Sequence, residues 1–315
     1  MTYKIAVLLN GAPGPARESA HVVEKALTAA GHQVAVYEAD DTLAATLRAT
    51  KPQIVFNGVE GKLGDALSEL CELLAIPVIG SGALARRRAG DASELVRALG
   101  GFYAGFDGCA SAVEGVVVDR VLFERVGVTA VLDAIADKVP SGYPLAVKPA
   151  RGAAGMGVAC VENLEQLKEA LPMALALDER VVIQEWVEGV RMSVSVLGDI
   201  DDPYALPPVE IAPVGDGTAD FYAPVRLESL SADEAMAQAI RSEVERAAVE
   251  AVAVLGCRDY ACVDIVWDGA RAKVIQVDAD PSLCEDSLFN KGCQIAGIGL
   301  DALLAELLAQ AVYHG

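Results

Sequence analysis

Residues 263–283, VDIVWDGARAKVIQVDADPSL, carry the oxygen-bearing side chains whose types and spacing best suit chemistry. Two short apolar runs flank Asp268-Gly269, a tight-turn dipeptide, so the segment reads as a β-hairpin. Asp264 lies on the first strand, Gln276 and Asp278 on the second, and Asp280 just past its end. Side chains alternate along a strand, so Gln276 and Asp278 share one face while Ile275 and Val277 share the other. A two-residue loop puts Asp264 on the wrong face. A three-residue loop pairing Trp267 with Arg271 brings all three oxygen-bearing side chains together. Oxygen-only ligands at that density suit a hard cation such as Mg²⁺, which prefers carboxylates plus phosphate oxygens and water. The plainer alternative is a hairpin with a polar outer face.

Two further pieces precede it. Lys148 lies in the apolar run YPLAVKPA (143–150), and a glycine-rich loop follows. A lysine there holds a polyphosphate as a point charge, and Gly152, Gly155 and Gly157 let backbone N–H groups close over phosphate oxygens without Cβ clashes. The P-loop pattern is absent, and a surface lysine before a flexible hairpin is the alternative. In the strand RVVIQEWVEG (180–189), Gln184, Glu185, Trp186 and Val187 offer a flat apolar wall and backbone groups suited to an adenine ring. An ordinary edge strand with a buried Trp reads the same residues. The order is phosphate lysine and Gly lid, adenine strand, then metal hairpin.

The elements that must position these residues follow from hydrophobic patterning. Residues 1–82 alternate strand and helix: KIAVLLN, a Gly/Pro turn, a helix from about 17 to 30, then QVAVYEA, PQIVFNGVEG, an amphipathic stretch from Asp65 to Ala75, and PVIGSG. Such alternation means parallel pairing with helices on both faces and ligands at the carboxyl ends of the strands. Residues 83–118 are open between an extra helix and hairpin and a mobile loop; within them Arg86, Arg87 and Arg88 read as a solvated basic loop or as a functional arm. From Asp119 come the helix DRVLFERVGV ending at Gly127, the Lys148 strand, VACVEN, the helix LEQLKEAL, and the strands RVVIQEWVEG, RMSVSVLG and YALPPVEIAP. A long helix, Ser231–Leu255, opens at a Ser231/Glu234 capping box, and a last helix spans Leu300–Val312.

Whole-chain properties bound the function. With 315 residues the chain has room for two or three domains. Its net charge of -20 lacks the basic footprint that nucleic acid demands and gives no attraction to an anionic membrane, so neither is expected as a partner. No apolar stretch reaches the length of a membrane span, and the N-terminus reads as a buried strand rather than a signal peptide, which implies a cytoplasmic protein. Seven cysteines without a C-x-x-C pair fit reduced thiols rather than disulfides or a zinc site. The histidines, His21, His32 and His314, lie in or beside helices or at the tail, so the chemistry rests on electrostatics and positioning.

The wording and order of these segments resemble the ATP-grasp superfamily, and within it the D-alanine–D-alanine ligases. MTYKIAVLLNG, IVFNGVEGKLGD, ELLAIPVIGSGALA, LAVKPARGAAGMGV, VIQEWVEG, VLGCRDYACVDIV and VIQVDADPSL each resemble a family block, in sequence order. The resemblance implies an α/β fold, α+β in its C-terminal half: a Rossmann-like N-terminal domain (1–83), an insertion or linker (84–118), a central ATP-grasp subdomain (119–187) and a C-terminal one bearing the metal hairpin (188–315). It implies an ADP-forming carboxylate–amine ligation through an acyl phosphate, with ATP and Mg²⁺, small amino-acid substrates such as D-alanine, a homodimer, and a place in peptidoglycan biosynthesis. By position, Lys148 contacts ATP phosphates. Gly152, Ala153 and Gly155 belong to the lid, and Gln184, Glu185, Trp186 and Val187 border adenine. Arg120 replaces a nucleotide-binding lysine, Asp264, Gln276 and Asp278 hold metal, and Ser282 lends its backbone N–H to the oxyanion.

The departures from the family are specific. Gln276 and Asp278 exchange the usual Glu and Asn, roughly keeping the charge. Cys262 stands where the family has the oxyanion arginine, and Ala153 or Ala154 replaces a lid serine. Ala16 replaces the acid that receives the first substrate's ammonium, leaving Glu18 as substitute. Glu60 replaces a histidine, and Arg191 replaces the ribose glutamate, leaving Glu188. The closing loop, DFYAPVRLES, is short. One lost oxyanion donor typically costs about two to three powers of ten in rate. Two readings of different class follow: a ligase of this family with D-alanine or another small substrate, and a non-catalytic nucleotide-binding relative acting through a partner. A dehydrogenase is set aside because GAPGP lacks the dinucleotide fingerprint.

Overall fold

The N-terminal run KIAVLL is apolar throughout because it lies inside a parallel sheet covered on both faces. In the computed structural model, which describes residues 1–315 except 12–13, 103–110, 152–156, 215–218, 225–229, 231–232 and 315, this run is β1 (Lys4–Leu9). It pairs in parallel with β2 (Gln33–Glu38) and β3 (Ile54–Asn57), and β3 pairs with β4 (Val78–Ile79), giving the order β2-β1-β3-β4. Helices α1 (Pro15–Ala29), α2 (Leu43–Thr50) and α3 (Gly61–Leu73) connect them. Ala6 and Leu8 pack with Leu43, Leu47, Leu67 and Cys71 of α2 and α3. Ile5, Val7 and Leu9 pack with α1 and with the last helix of the chain.

The segment after Gly82 is α4 (Ala83–Ala89), α5 (Ala92–Phe102), β5 (Ser111–Ala112) and β6 (Gly115–Asp119). The basic-loop reading of Arg86–Arg88 is therefore corrected to a helix whose Ala83, Ala85, Arg86 and Ala89 are buried. β6 is an edge of the central sheet, β6-β9-β7-β8, whose other strands are β7 (Leu145–Pro149), β8 (Ala159–Val161) and β9 (Arg180–Glu185). Helices α6 (Arg120–Lys138), broken at Gly127 by a positive φ of 71°, and α7 (Leu164–Leu177) cover one face through Val131, Ile135, Leu167 and Leu171.

The third sheet contains β10 (Val190–Gly198), β11 (Tyr204–Ala205), β12 (Val209–Val214), β13 (Ala219–Pro224), β14 (Asp259–Trp267) and β15 (Ala272–Asp278), and β5 joins its edge. Helix α8 (Glu234–Leu255) packs Ile240, Val244, Ala248 and Val252 against Met192, Val194, Val263, Ile265 and Val274. Its N-cap is Asp233, whose carboxylate accepts the Met236 N–H at 2.8 Å. Ser231 of the expected Ser231/Glu234 box lies outside the described residues, and Glu234 is the first helical residue. Helices α9 (Leu288–Ile295) and α10 (Leu300–His314) return to the first sheet, where Phe289, Leu303 and Leu307 share its core. No single helix among the described residues is long and apolar enough to cross a membrane.

Candidate active site

The hairpin that carries the acidic residues forms by a different route from the one its sequence suggests. Trp267 pairs with Ala272, not Arg271, leaving a four-residue loop. Asp268 stabilises that loop by accepting the Ala270 and Arg271 N–H groups, each at 2.8 Å. A bulge then restores the alignment: Ile265 faces Val274 but Asp264 faces Gln276, so Ile275 has no opposite residue. Beyond the bulge the alternation reverses, and Gln276 and Asp278 join Asp264 and Cys262 on the face turned away from α8. The shared face expected from the sequence is observed, with a one-residue change in pairing.

The bulge also supplies a contact across the cleft. Lys148 Nζ donates to the Ile275 carbonyl at 3.1 Å, joining the central sheet to the third. Lys148 lies on the sheet face opposite the α6/α7 core, together with Ala146 and Gln184, and Gln184 is directly across from Ala146 and Gly115. Burial pulls the Lys148 ammonium down to about 8, and the negative charge of Asp264 opposes that shift. Gln184 is buried; Glu185 is half-buried and pairs with Lys273 at 3.5 Å. The strand ends at Glu185, so Trp186, Val187 and Glu188 lie in the link to β10, with Trp186 and Glu188 exposed.

Asp264 Oδ1 accepts from Ser193 Oγ at 2.6 Å, and Ser193 Oγ also meets Cys262 Sγ at 3.1 Å. Burial raises the Asp264 carboxyl, the Ser193 bond lowers it, and Asp278 adds repulsion. Asp278 keeps an exposed side on the cleft, but the protein packed around its carboxyl displaces part of its hydration and pushes it up to about 6 against the attraction of Arg86. Among the described residues no group of three or more His, Cys, Asp and Glu side chains is placed to hold a metal alone. Two carboxylates facing one space, with an amide oxygen beside them, still fit Mg²⁺, which is commonly held by one or two carboxylates and completed by substrate phosphates.

Past β15, Ser282 is half-buried and its Oγ accepts the Cys284 N–H at 3.3 Å; Leu283 N–H donates to Ser19 Oγ of α1 at 2.9 Å. Glu18 lies exposed in the first turn of α1. Glu60, at the N-cap of α3, is raised by burial and by the charge of Asp278, and lowered by Arg86, so it is brought to the acidic end of the cleft. Arg120 is turned to a structural partner: its guanidinium donates to the Leu175 carbonyl and to that of Asp178 at 3.1 Å, closing the C-terminal end of α7. Gly152, Ala153 and Gly155 lie outside the described residues, as does the 225–229 part of the short loop. Gly157 is described, with φ of +77° and no room for a Cβ, which would lie 2.5 Å from Leu177.

Sequence reasoning missed Ser193 and Arg86. The alternation in RMSVSVLG puts Ser193 and Ser195 opposite the apolar face, and that was the available signal for Ser193. Three adjacent arginines gave no indication of which one faces inward.

A family model described as the D-ala D-ala ligase C-terminus matches residues 117–309. The chain belongs to the D-alanine–D-alanine ligase family. Among the relatives of this family member, the D-alanine–D-alanine ligase of Syntrophotalea carbinolica is 28% identical, over 98% of this chain and 96% of that protein. The D-alanine–D-alanine ligase of Desulforudis audaxviator is also 28% identical, over 99% of each. The crystal structure of the Bacillus anthracis D-alanine–D-alanine ligase complexed with ATP superposes with a TM-score of 0.81 at 20% identity, covering 99% of this chain and 98% of that one. The Coxiella burnetii ligase gives 0.78 at 18% identity, over 99% and 94%. The fold is ATP-grasp.

Proposed function

We propose that this family member is an ATP-dependent, ADP-forming carboxylate–amine ligase, with D-alanine or another small amino acid as substrate. The observation that carries the reading is the cleft in which Lys148 of the central sheet meets the bulged strand bearing Gln276 and Asp278, with Asp264 on the facing strand. In this reading ATP phosphorylates a substrate carboxylate, and an amine attacks the acyl phosphate, releasing phosphate and forming an amide. Lys148 holds phosphate oxygens, residues 152–157 close over them, and Gln184 to Glu188 border the nucleotide. Asp264, Gln276 and Asp278 hold Mg²⁺, which supplies charge neutralisation for the transferring phosphoryl group when bound.

Ser282 presents its backbone to the reacting carboxyl, and Glu18 or Glu60 receives the substrate ammonium. Glu60 is favoured because its carboxyl senses Asp278 and Arg86. The non-catalytic alternative gains no support, since relatives aligned over nearly the whole chain are named as ligases. The reading extends to a cytoplasmic homodimer serving peptidoglycan synthesis; Leu63 and Leu73, exposed apolar residues of α3, suit a contact between copies.

The test is ADP release by purified protein with Mg²⁺-ATP across D-alanine, other D- and L-amino acids, and no acceptor. D-alanine-stimulated release with dipeptide formed is the expected result, and stimulation by another acid alone redirects the substrate. ATP binding without turnover under any acceptor refutes the ligase.

A further inference from the structure

Among the described residues Arg86 is the basic residue that the fold buries, and the ligase reading leaves it without a role. Its side chain is 2% exposed, and it holds two separate segments. Nη1 forms an ion pair with Asp280, and Nη2 donates to the Val59 carbonyl, next to Glu60, at 3.1 Å. The passage is narrow: a Cβ on Gly64 would lie 1.9 Å from the Val59 oxygen and 2.9 Å from Arg86 Nη2, so α3 has glycine there. Arg86 Nε is buried without a hydrogen-bond partner among the described residues. A buried ion pair with an unsatisfied donor is a poor source of stability, because a well-packed apolar pair of similar volume commonly does as well. Its place in the site supplies a different reason for it.

Asp280 is two residues beyond Asp278 and two before Ser282. Its backbone N–H donates to Asp278 Oδ1 at 2.9 Å. The turn 278–283 is thus held from the N-terminal half at two points, by Arg86 at Asp280 and by Ser19 at Leu283. Asp278 in turn lies directly across the ladder from Cys262, the position at which an arginine is missing.

We propose that Arg86 is a positioning residue for the ligation: by anchoring Asp280 from α4 it orients the Asp278 carboxylate and the Ser282 backbone toward one another, and it fixes positive charge on the Asp278–Asp280 turn. The proposal rests on the ligase reading for its reaction, but not for its geometry.

The experiment compares the full chain with Arg86→Met, Arg86→Lys and the double variant Arg86→Met/Asp280→Leu. Three readouts are taken: thermal melting, Mn²⁺ binding in the presence of ATP by water-proton relaxation, and ADP release with the best acceptor. Arg86→Met alone leaves Asp280 without its cation, so the double variant guards against simple unfolding. The double variant is expected to fold, to bind Mn²⁺ about 10-fold more weakly, and to turn over about 30- to 100-fold more slowly, with the KM for ATP within about 3-fold. Arg86→Lys keeps the charge but not the fork spanning Asp280 and Val59, and recovers only part of the rate. A folded double variant with wild-type Mn²⁺ affinity and rate overturns the proposal. If the wild type releases no ADP with any acceptor, the ligase reading fails, and Mn²⁺ binding alone decides: weakening in the double variant sustains the positioning role, and unchanged affinity refutes it. A wild type that binds no Mn²⁺ refutes both.

Discussion

Asp278 bears opposing demands within one side chain. A carboxylate crowded by the cleft walls loses part of its hydration even though one side stays exposed, and its pKa is accordingly pushed up to about 6 from the ordinary 3.8. The consequence for stability has a definite sign. Above about pH 6 the group is ionised in both folded and unfolded chains, and the folded state bears the cost. As pH falls from about 6 to about 4, the folded form takes up its proton before the unfolded one, and the cost disappears. Asp278→Asn is therefore expected to melt at a higher temperature than wild type near pH 8. That gain should shrink as pH falls through about 6 and vanish below about 4. Calorimetry across this range checks it, and an equal gain at both ends would show that the carboxylate charge is not the cause. The same substitution should lower Mg²⁺-dependent turnover by about 10-fold or more, as loss of a ligand or its support commonly does.

At the scale of elements, the bulge in β15 explains both what the sequence disclosed and what it concealed. Apolar runs around Asp268-Gly269 were enough to identify the hairpin, and side-chain alternation was enough to group Gln276 with Asp278. The number of loop residues and the bulge are set jointly by the Asp268 turn and by the fit of β14 between β10 and β15, neither of which is written locally. The same holds for α4, whose single inward arginine is selected by a carboxylate 194 positions away in sequence. Strand–helix alternation in residues 1–82 was legible because each period is local, whereas the return of α10 to that sheet is a tertiary fact. The bulge itself is testable. Deleting Ile275 leaves Val274 opposite Ile265 and Gln276 opposite Asp264, so the ladder becomes regular, Gln276 and Asp278 keep the cleft face, and the carbonyl that accepts from Lys148 is lost. No carboxylate is turned into the apolar layer, so the deletion is expected to leave urea unfolding cooperative, at a cost of about 1–2 kcal/mol for the lost lysine contact and the altered local twist. Deleting Ala270 instead shortens only the loop and should lower the midpoint slightly. Loss of cooperative unfolding in the Ile275 deletion would mean that the bulge, and not the pairing on either side of it, sets the face that Gln276 and Asp278 take.

Across the whole molecule, a charged network joins parts that the ligand cleft requires to act together. Arg151, which directly precedes residues 152–156, pairs with Asp65 of α3 at 3.2 Å and with Asp91 at 3.5 Å, and donates to the Arg87 carbonyl at 3.1 Å. Asp91 also pairs with Arg180 of β9 and accepts the Ser93 N–H at 3.0 Å, capping α5. The α4–α5 segment and the central sheet thus meet at one buried carboxylate, while half-buried Asp65 ties α3 of the N-terminal unit to the same Arg151. These positions rank the expected costs. Asp91→Ala removes a helix cap together with two charge-assisted contacts and should cost about 3 kcal/mol. Asp65→Asn loosens one partly solvated pair and should cost about 0.5–1 kcal/mol. Because Arg151 is shared, Arg151→Met combined with Asp65→Asn should be no less stable than Arg151→Met alone, a deviation from additivity that urea unfolding resolves. Additive losses would show two independent surface contacts. Non-additive losses, accompanied by a rise in the KM for ATP for Arg151→Met, would show that the segment leading into the proposed phosphate-binding residues is held by α3 of the N-terminal half, so that binding nucleotide and ordering that side of the cleft are linked.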